Sequence, residues 1–186
     1  MKRVTTNHLL VITIIVNVSC FVSACGSRQK AHFNRGLAYY NRGQLEQSIA
    51  EYQKAIQINP NFAQARNNLG NVYYNQSKLE EAVVEYQGAI TINPSYAKAH
   101  YNLGVVYHQQ GKLEEAIVQY QQAMASNSKE GKRGNNSGVT YSDPGRLVFG
   151  MPQDNSTTNP NYAQAHYHLG FVYNDQGKLT DAIAEY

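Results

Sequence analysis

The sequence is 186 residues long, with 42% hydrophobic and 16% charged residues, a length that holds one core or one short array and excludes a large multi-domain enzyme. Sixteen Lys and Arg against 13 Asp and Glu give a formal charge of +3, which excludes both an acidic solvating chain and a basic nucleic-acid coat. Two cysteines are too few for a disulfide-stapled mini-protein, and 15 tyrosines with no tryptophan are the unusual habit that needs an explanation.

Lys2 and Arg3 form a short basic start, and Leu9 to Val22 is an apolar run broken only by Thr13, Asn17, Ser19 and Cys20. The run is too short and too polar for a spanning helix of about 20 apolar residues, and it reads as a targeting segment. Val22-Ser23-Ala24-Cys25 closes it and resembles the lipobox of bacterial lipoproteins, which implies cleavage after Ala24, acylation of Cys25 and a short lipidated tether over 25–28. Gly26 after the cysteine resembles lipoproteins sent to an outer membrane. A plain secretory signal, giving a secreted or periplasmic protein with Cys25 incidental, is the alternative. Removing 1–24 leaves 14 Lys and Arg against 13 Asp and Glu, so the basicity belongs to the signal and nucleic-acid binding loses its main argument. With Cys20 removed and Cys25 acylated, no free thiol and no disulfide are expected, which suits an oxidising envelope compartment.

Next comes a repeat. Asn-Asn-Leu-Gly-Asn-Val-Tyr at 67–73, Tyr-Asn-Leu-Gly-Val-Val-Tyr at 101–107 and Tyr-His-Leu-Gly-Phe-Val-Tyr at 167–173 mark units 29–62, 63–96 and 97–130, with a truncated fourth at 163–186. The second and third share 18 of 34 residues. Positions 4, 7, 8 and 11 of each unit are spaced for one face of a helix, and 20, 24 and 27 for one face of a second. Glycine at position 8 and alanine at 20 and 27 allow two helices to approach, and tyrosines at 11 and 24 fill the space around them. Gly111, Gly177 and the polar Gln76-Ser77-Lys78 separate the helices, and Asn59-Pro60, Asn93-Pro94 and Asn159-Pro160 are expected to end second helices. Period and pattern resemble the tetratricopeptide repeat (TPR), carried by Leu69, Gly70, Tyr73, Ala82, Tyr86, Ala89 and Pro94 and by Leu103, Gly104, Tyr107, Ala116, Tyr120 and Ala123. The first unit departs with Arg35 for Leu and Ser48 for Ala, and the tryptophan position holds His32, Arg66, His100 and His166, of which the three histidines read as packing residues. The resemblance implies an all-α solenoid, a right-handed superhelix of helix-turn-helix pairs.

Between Ser128 and Asn159 the repeat stops for 32 residues carrying five glycines and no helical stripe. This reads as a mostly irregular, flexible Gly/Ser/Asn-rich insertion with a short strand at 146–149. Tyr186 falls at position 24 of a unit, in mid-face of a second helix, which reads as a fragment of a longer chain.

In such a solenoid the concave side is lined by first-helix positions 2, 6, 9 and 13. Here they supply Asn34, Asn41, Asn68, Asn71, Asn75, Lys98, Asn102, Gln109 and His168, with Tyr40, Tyr74, Tyr101, Tyr167 and Phe171 as apolar walls. A carboxamide both donates and accepts, so a ladder of them suits the backbone of an extended peptide. The ladder resembles the TPR arm of O-linked N-acetylglucosaminyltransferases. A clamp for a carboxylate tail fits less well: Asn68 and Lys98 suit it, but Phe33, Leu37 and Asn102 do not. Glu46, Glu80, Glu81, Glu114 and Glu115 sit early in second helices, where they favour the helix N-terminus, and no nucleophile-base pair, metal spacing or phosphate loop stands out. The expectation is a non-catalytic scaffold without metal or cofactor, anchored to the bacterial cell envelope, that binds peptide segments or partner proteins and neither nucleic acid nor a small-molecule substrate. The alternatives are the N-terminal arm of a larger glycosyltransferase or peptidase, and a subunit of a pilus, secretion or outer-membrane assembly machine.

Overall fold

Position 15 decides where one helix turns into the next. It is Gly43, Gly111 and Gly177, each at φ 72°, and Ser77 at φ 59°, a left-handed conformation in which glycine carries no Cβ penalty. The residue after it donates its N–H back to the carbonyl of position 11: Gln44 to Tyr39, Lys78 to Tyr73, Lys112 to Tyr107 and Lys178 to Tyr173, at 2.8–3.0 Å. These bonds satisfy carbonyls that the end of the first helix leaves open.

The structure is a computed structural model that describes residues 26–130, 140–141, 147–148 and 160–185. The expected signal peptide, Cys25 and most of the expected insertion lie outside the described residues. The chain divides into two compact units, one ending at Asn61 and one from Phe62 onward.

The first unit holds α1 (26–41) and α2 (Leu45–Ile58). Tyr52 is buried against Gly36, where an added Cβ would stand 2.7 Å from the ring. Ser48, the departure from alanine, donates its hydroxyl to the Gly36 carbonyl at 2.8 Å and so is buried with its polar atom satisfied. Arg35, the departure from leucine, turns to Glu51 at 2.7 Å, where His32 and Lys54 also converge at 2.8 Å each. Burial alone pushes the Glu51 carboxyl up, but hydrogen bonds from Lys54, Arg35 and His32 more than offset it and hold it at about 2.

The second unit contains α3 (Ala63–Asn75), α4 (Leu79–Ile92), α5 (Ala97–Gln109), α6 (Leu113–Glu130), α7 (Pro160–Asp175) and α8 (Leu179–Glu185). Helices of a pair pack on each other, α4 packs on α5 and α6 on α7, and the first helices lie side by side, α3 against α5 and α5 against α7. This is the all-α array of stacked helix pairs that the periodicity predicts. The glycine at position 8 carries the pairing: an added Cβ on Gly70 would stand 2.6 Å from Tyr86, and on Gly104 2.8 Å from Tyr120. The core follows the repeat, with Leu103 and Val106 of α5 on Ala82 and Tyr86 of α4, and Leu169 and Val172 of α7 on Ala116 and Tyr120 of α6.

Asn59 and Asn93 end α2 and α4 in extended conformation and accept the N–H of Asn61 and Ser95 on their side chains. The third Asn-Pro behaves differently. Helix α6 ends at Glu130, and Pro160 stands at the first position of α7, where its missing N–H costs no hydrogen bond. Within the expected insertion, β1 (Thr140–Tyr141) pairs antiparallel with β2 (Leu147–Val148), Thr140 facing Val148 and Tyr141 facing Leu147.

Candidate peptide-binding face

Because α3, α5 and α7 lie side by side, positions 6, 9 and 13 of successive units come into register on one face, and the structure sorts the residues expected there into two groups. Asn75 and Gln109 are exposed, Asn68 and Lys98 half-buried. Asn71 and Asn102 are buried, at 6% and 5% exposure, and their amides are turned on each other instead of outward. Asn102 donates from Nδ2 to Asn71 Oδ1 and to Asn67 Oδ1, both at 3.0 Å. Asn71 Oδ1 also accepts the Tyr86 hydroxyl at 2.8 Å, and Asn67 donates to Asn68 Oδ1 at 3.3 Å. Asn71 and Asn102 therefore lie in a closed knot that joins α3, α4 and α5, while Asn68 stays half-buried beside it. The physical reason is burial: a carboxamide removed from water must find partners, and here the neighbouring carboxamides are nearest. Asn34 and Asn41 are exposed on α1 of the first unit.

One repeat further on, position 6 is His168 and the knot is replaced by rings. The imidazole stacks on Tyr120 at 5.9 Å and 28°, meets Tyr101 edge-on at 5.6 Å, and continues into Tyr167 and Phe171. Burial, then the neighbouring His108, push its pKa from 6.5 down to about 4, so it is uncharged at neutral pH. Burial also pushes the hydroxyls of Tyr101 and Tyr120 well above the usual tyrosine range, with Tyr74 adding to both. At the rim, His108 Nε2 lies 2.9 Å from Asp175 Oδ2, and Gln176 donates to Glu114 at 3.2 Å. These two contacts tie α7 and its following turn to α5 and α6.

The histidines at position 4 are more than packing residues. Each described unit joins position 4 to position 23, nineteen residues on: His32 to Glu51 at 2.8 Å, Arg66 to Glu85 at 3.1 Å, His100 to Gln119 at 2.8 Å, and His166 to Glu185. A polar latch between the two helices of a unit takes the place of the indole. The latch and Asn67 are missed by a reading that takes one helix at a time; the signal that points to the latch is that every unit carries His or Arg at position 4 and Glu or Gln at position 23. Among the described residues, no three His, Cys, Asp or Glu side chains gather as metal ligands do, and no helix is long and apolar enough to cross a membrane.

The TPR repeat family model matches residues 36–77 and 70–111, and the tetratricopeptide repeat model matches 97–129. Together these matches run from 36 to 129, half of the 186 residues. The chain belongs to the TPR family. Its fold is similar to that of MamA in a crystal structure, at 20% identity over 90% of this chain and 79% of that chain with a TM-score of 0.64. It is also similar to pilF of Pseudomonas aeruginosa, at 22% identity over 87% of this chain and 60% of that chain with a TM-score of 0.65. The first TPR of Spaghetti (RPAP3), solved bound to the HSP90 peptide SRMEEVD, matches at 24% identity over 55% of this chain and 81% of that chain with a TM-score of 0.53. At these identities the likeness establishes the fold. A search of curated proteins finds no match.

Proposed function

We propose that this TPR chain is a non-catalytic scaffold that holds extended peptide segments of partner proteins against α3, α5 and α7. The observation that carries this reading is the side-by-side packing of the three first helices, which aligns half-buried and exposed polar groups (Asn68, Asn75, Lys98, Gln109) with the aromatic rings of Tyr167, His168 and Phe171. Such a face offers hydrogen bonds along a backbone and rigid ring surface between them. The TPR structure solved with a bound peptide supports the same use of the fold. The first unit, taken by itself, carries Asn34 and Asn41 exposed at the same repeat positions. Because Asn71 and Asn102 spend their amides on each other, the likeness to the asparagine ladder of O-linked N-acetylglucosaminyltransferases rests, within the second unit, on Asn68, with Asn75 and Gln109 beside it.

The same proposal places the scaffold in the bacterial envelope, tethered through an acylated Cys25 to a membrane surface, the outer membrane where there is one. Its support is the basic start, the short apolar run and Val22-Ser23-Ala24-Cys25. Several acyl chains give stable retention where one gives only marginal binding, and a tether raises the effective concentration of the face for neighbouring membrane partners. Two measurements test the reading. Cys25→Ala moves the protein from the membrane to the soluble fraction, with loss of the acylated N-terminal peptide by mass spectrometry; unchanged fractionation sinks the anchor. Pull-down from detergent-solubilised membranes recovers a partner that Gln109→Glu with Asn75→Asp weakens at least tenfold, and an unaffected partner removes this face from the mechanism.

A further inference from the structure

Each repeat shows what its neighbour lacks. Position 24 is Tyr86 in α4 and Tyr120 in α6, both buried and both seated on the glycine at position 8 of the paired helix. Tyr86 donates its hydroxyl to Asn71 Oδ1. Position 9 of the next unit is Val105, which has no acceptor, and position 6 of the unit after that is His168 where Asn102 stood. The Tyr120 hydroxyl is accordingly buried with no hydrogen-bond partner among the described residues. A buried donor without an acceptor is a standing cost to the fold, and the repeat before it supplies the acceptor that is missing here: the oxygen of a neutral carboxamide.

Around this hydroxyl the chemistry is aromatic. Tyr101 lies 5.9 Å from Tyr120 at a tilt of 48°, His168 stacks on Tyr120 at 5.9 Å, and His168 meets Tyr101 edge-on at 5.6 Å, so the three rings form one cluster. His168 is half-buried at the surface and its described contacts are with rings, so it is the side chain whose displacement would open the hydroxyl. His108 lies against Asp175 at the rim, so an incoming carboxylate meets a like charge there and its burial is costly.

We propose that the Tyr120 hydroxyl, walled by the rings of Tyr101 and His168, is a subsite for the carbonyl oxygen of a neutral amide, which takes the place that Asn71 Oδ1 fills one repeat earlier. It rests on the peptide-binding reading and gives that face an anchor. A backbone amide and an Asn or Gln side chain present the same group.

The test is a titration of the full chain in detergent with N-acetylglycine N-methylamide, which offers backbone carbonyls alone, and N-acetylasparagine N-methylamide, which adds a carboxamide. Acetate is the charged control, and the Tyr120 and His168 ring resonances are followed by NMR. At least one amide gives saturable shifts at millimolar concentration and acetate gives none. A response to the asparagine probe alone assigns the side chain; equal responses assign the backbone. Tyr120→Phe removes the donor, and Val105→Asn supplies the acceptor from within, as in the preceding unit. Each weakens the probe at least tenfold, and Val105→Asn raises Tm. No saturable response to either amide, tighter binding of acetate, or unchanged binding in both variants overturns the proposal. Full-length peptides that bind Tyr120→Phe as tightly as wild type overturn the subsite and leave the peptide face standing; probes that bind at Tyr120 while no longer peptide binds α3, α5 and α7 do the reverse.

Discussion

Where α5 packs on α3 and α4, Asn102 reaches Asn67 and Asn71 and the seam is closed by uncharged amides. Where α7 packs on α5 and α6, the same position is His168 and the seam is closed by stacked rings and a rim contact between His108 and Asp175. Backbone geometry is shared by both seams, since each tyrosine at position 24 sits on a glycine at position 8. Two positions, 6 and 9, therefore set the chemistry of a junction without altering its architecture. The amide seam holds no carboxylate or imidazole in its knot, and the Tyr86 hydroxyl there finds an acceptor; the ring seam holds a titrating imidazole and leaves a hydroxyl in want of an acceptor.

The largest expected effect is common to both seams and tests the shared part. Gly70→Ala and Gly104→Ala each place a Cβ within 2.6–2.8 Å of a buried tyrosine ring, and each should destabilise by about 3 kcal/mol in chemical denaturation despite alanine's better helix propensity. A loss at only one of the two would show that the pairing is not the same in successive units.

Acid separates the seams. His168 titrates at about 4 in the folded chain against 6.5 when free, so the unfolded chain takes up the proton first as pH falls. Stability from this group is full above pH 6.5 and declines toward pH 4, by about 2–3 kcal/mol. His168→Phe should flatten that window. Glu51, held at about 2 by its three cationic or imidazole neighbours, contributes above its ordinary value near 4.5 and loses that contribution only as pH falls toward 2, so the two effects occupy different ranges. A pH profile unchanged by His168→Phe breaks the contrast.

Asn102→Ala should cost about 2 kcal/mol at any pH between 5 and 8, because it strips a donor from two buried carbonyl oxygens; a titrating loss would contradict the closed-knot description. The smallest effect is local. Ser77 occupies at φ 59° the site where three other units place glycine, so Ser77→Gly should stabilise by about 0.5–1 kcal/mol, read as a rise in Tm.

The helix pairs and the glycine-tyrosine contact are legible in the sequence, because a repeat that places Gly70 and Gly104 thirty-four residues apart reports one geometric constraint twice; the boundary at Asn159-Pro160 is not, since Pro160 opens α7 instead of closing the helix before it. Burial of a polar side chain was not legible. Asn68 and Asn102 occupy the same position and look alike in the sequence, yet one is half-buried and the other sits in a knot whose partners, Asn67 and Asn71, belong to a different helix. The latch between positions 4 and 23 escaped for the same reason: helical periodicity describes one face of one helix, while His100 and Gln119 meet only after two helices have packed. Arg35 and Ser48, departures from the repeat, proved to be mutually consistent with Glu51 and with the Gly36 carbonyl.

The central claim is that partners are held on the first-helix face, and photo-crosslinking in living cells tests it directly. A benzoylphenylalanine is placed at Gln109, exposed at the end of α5, and in a parallel strain at Val118, 49% exposed on the second helix α6. A discrete crosslinked partner from position 109, absent from position 118, is the predicted result. The same partner captured from 118 and not from 109 would contradict the account and move the binding surface to the second helices.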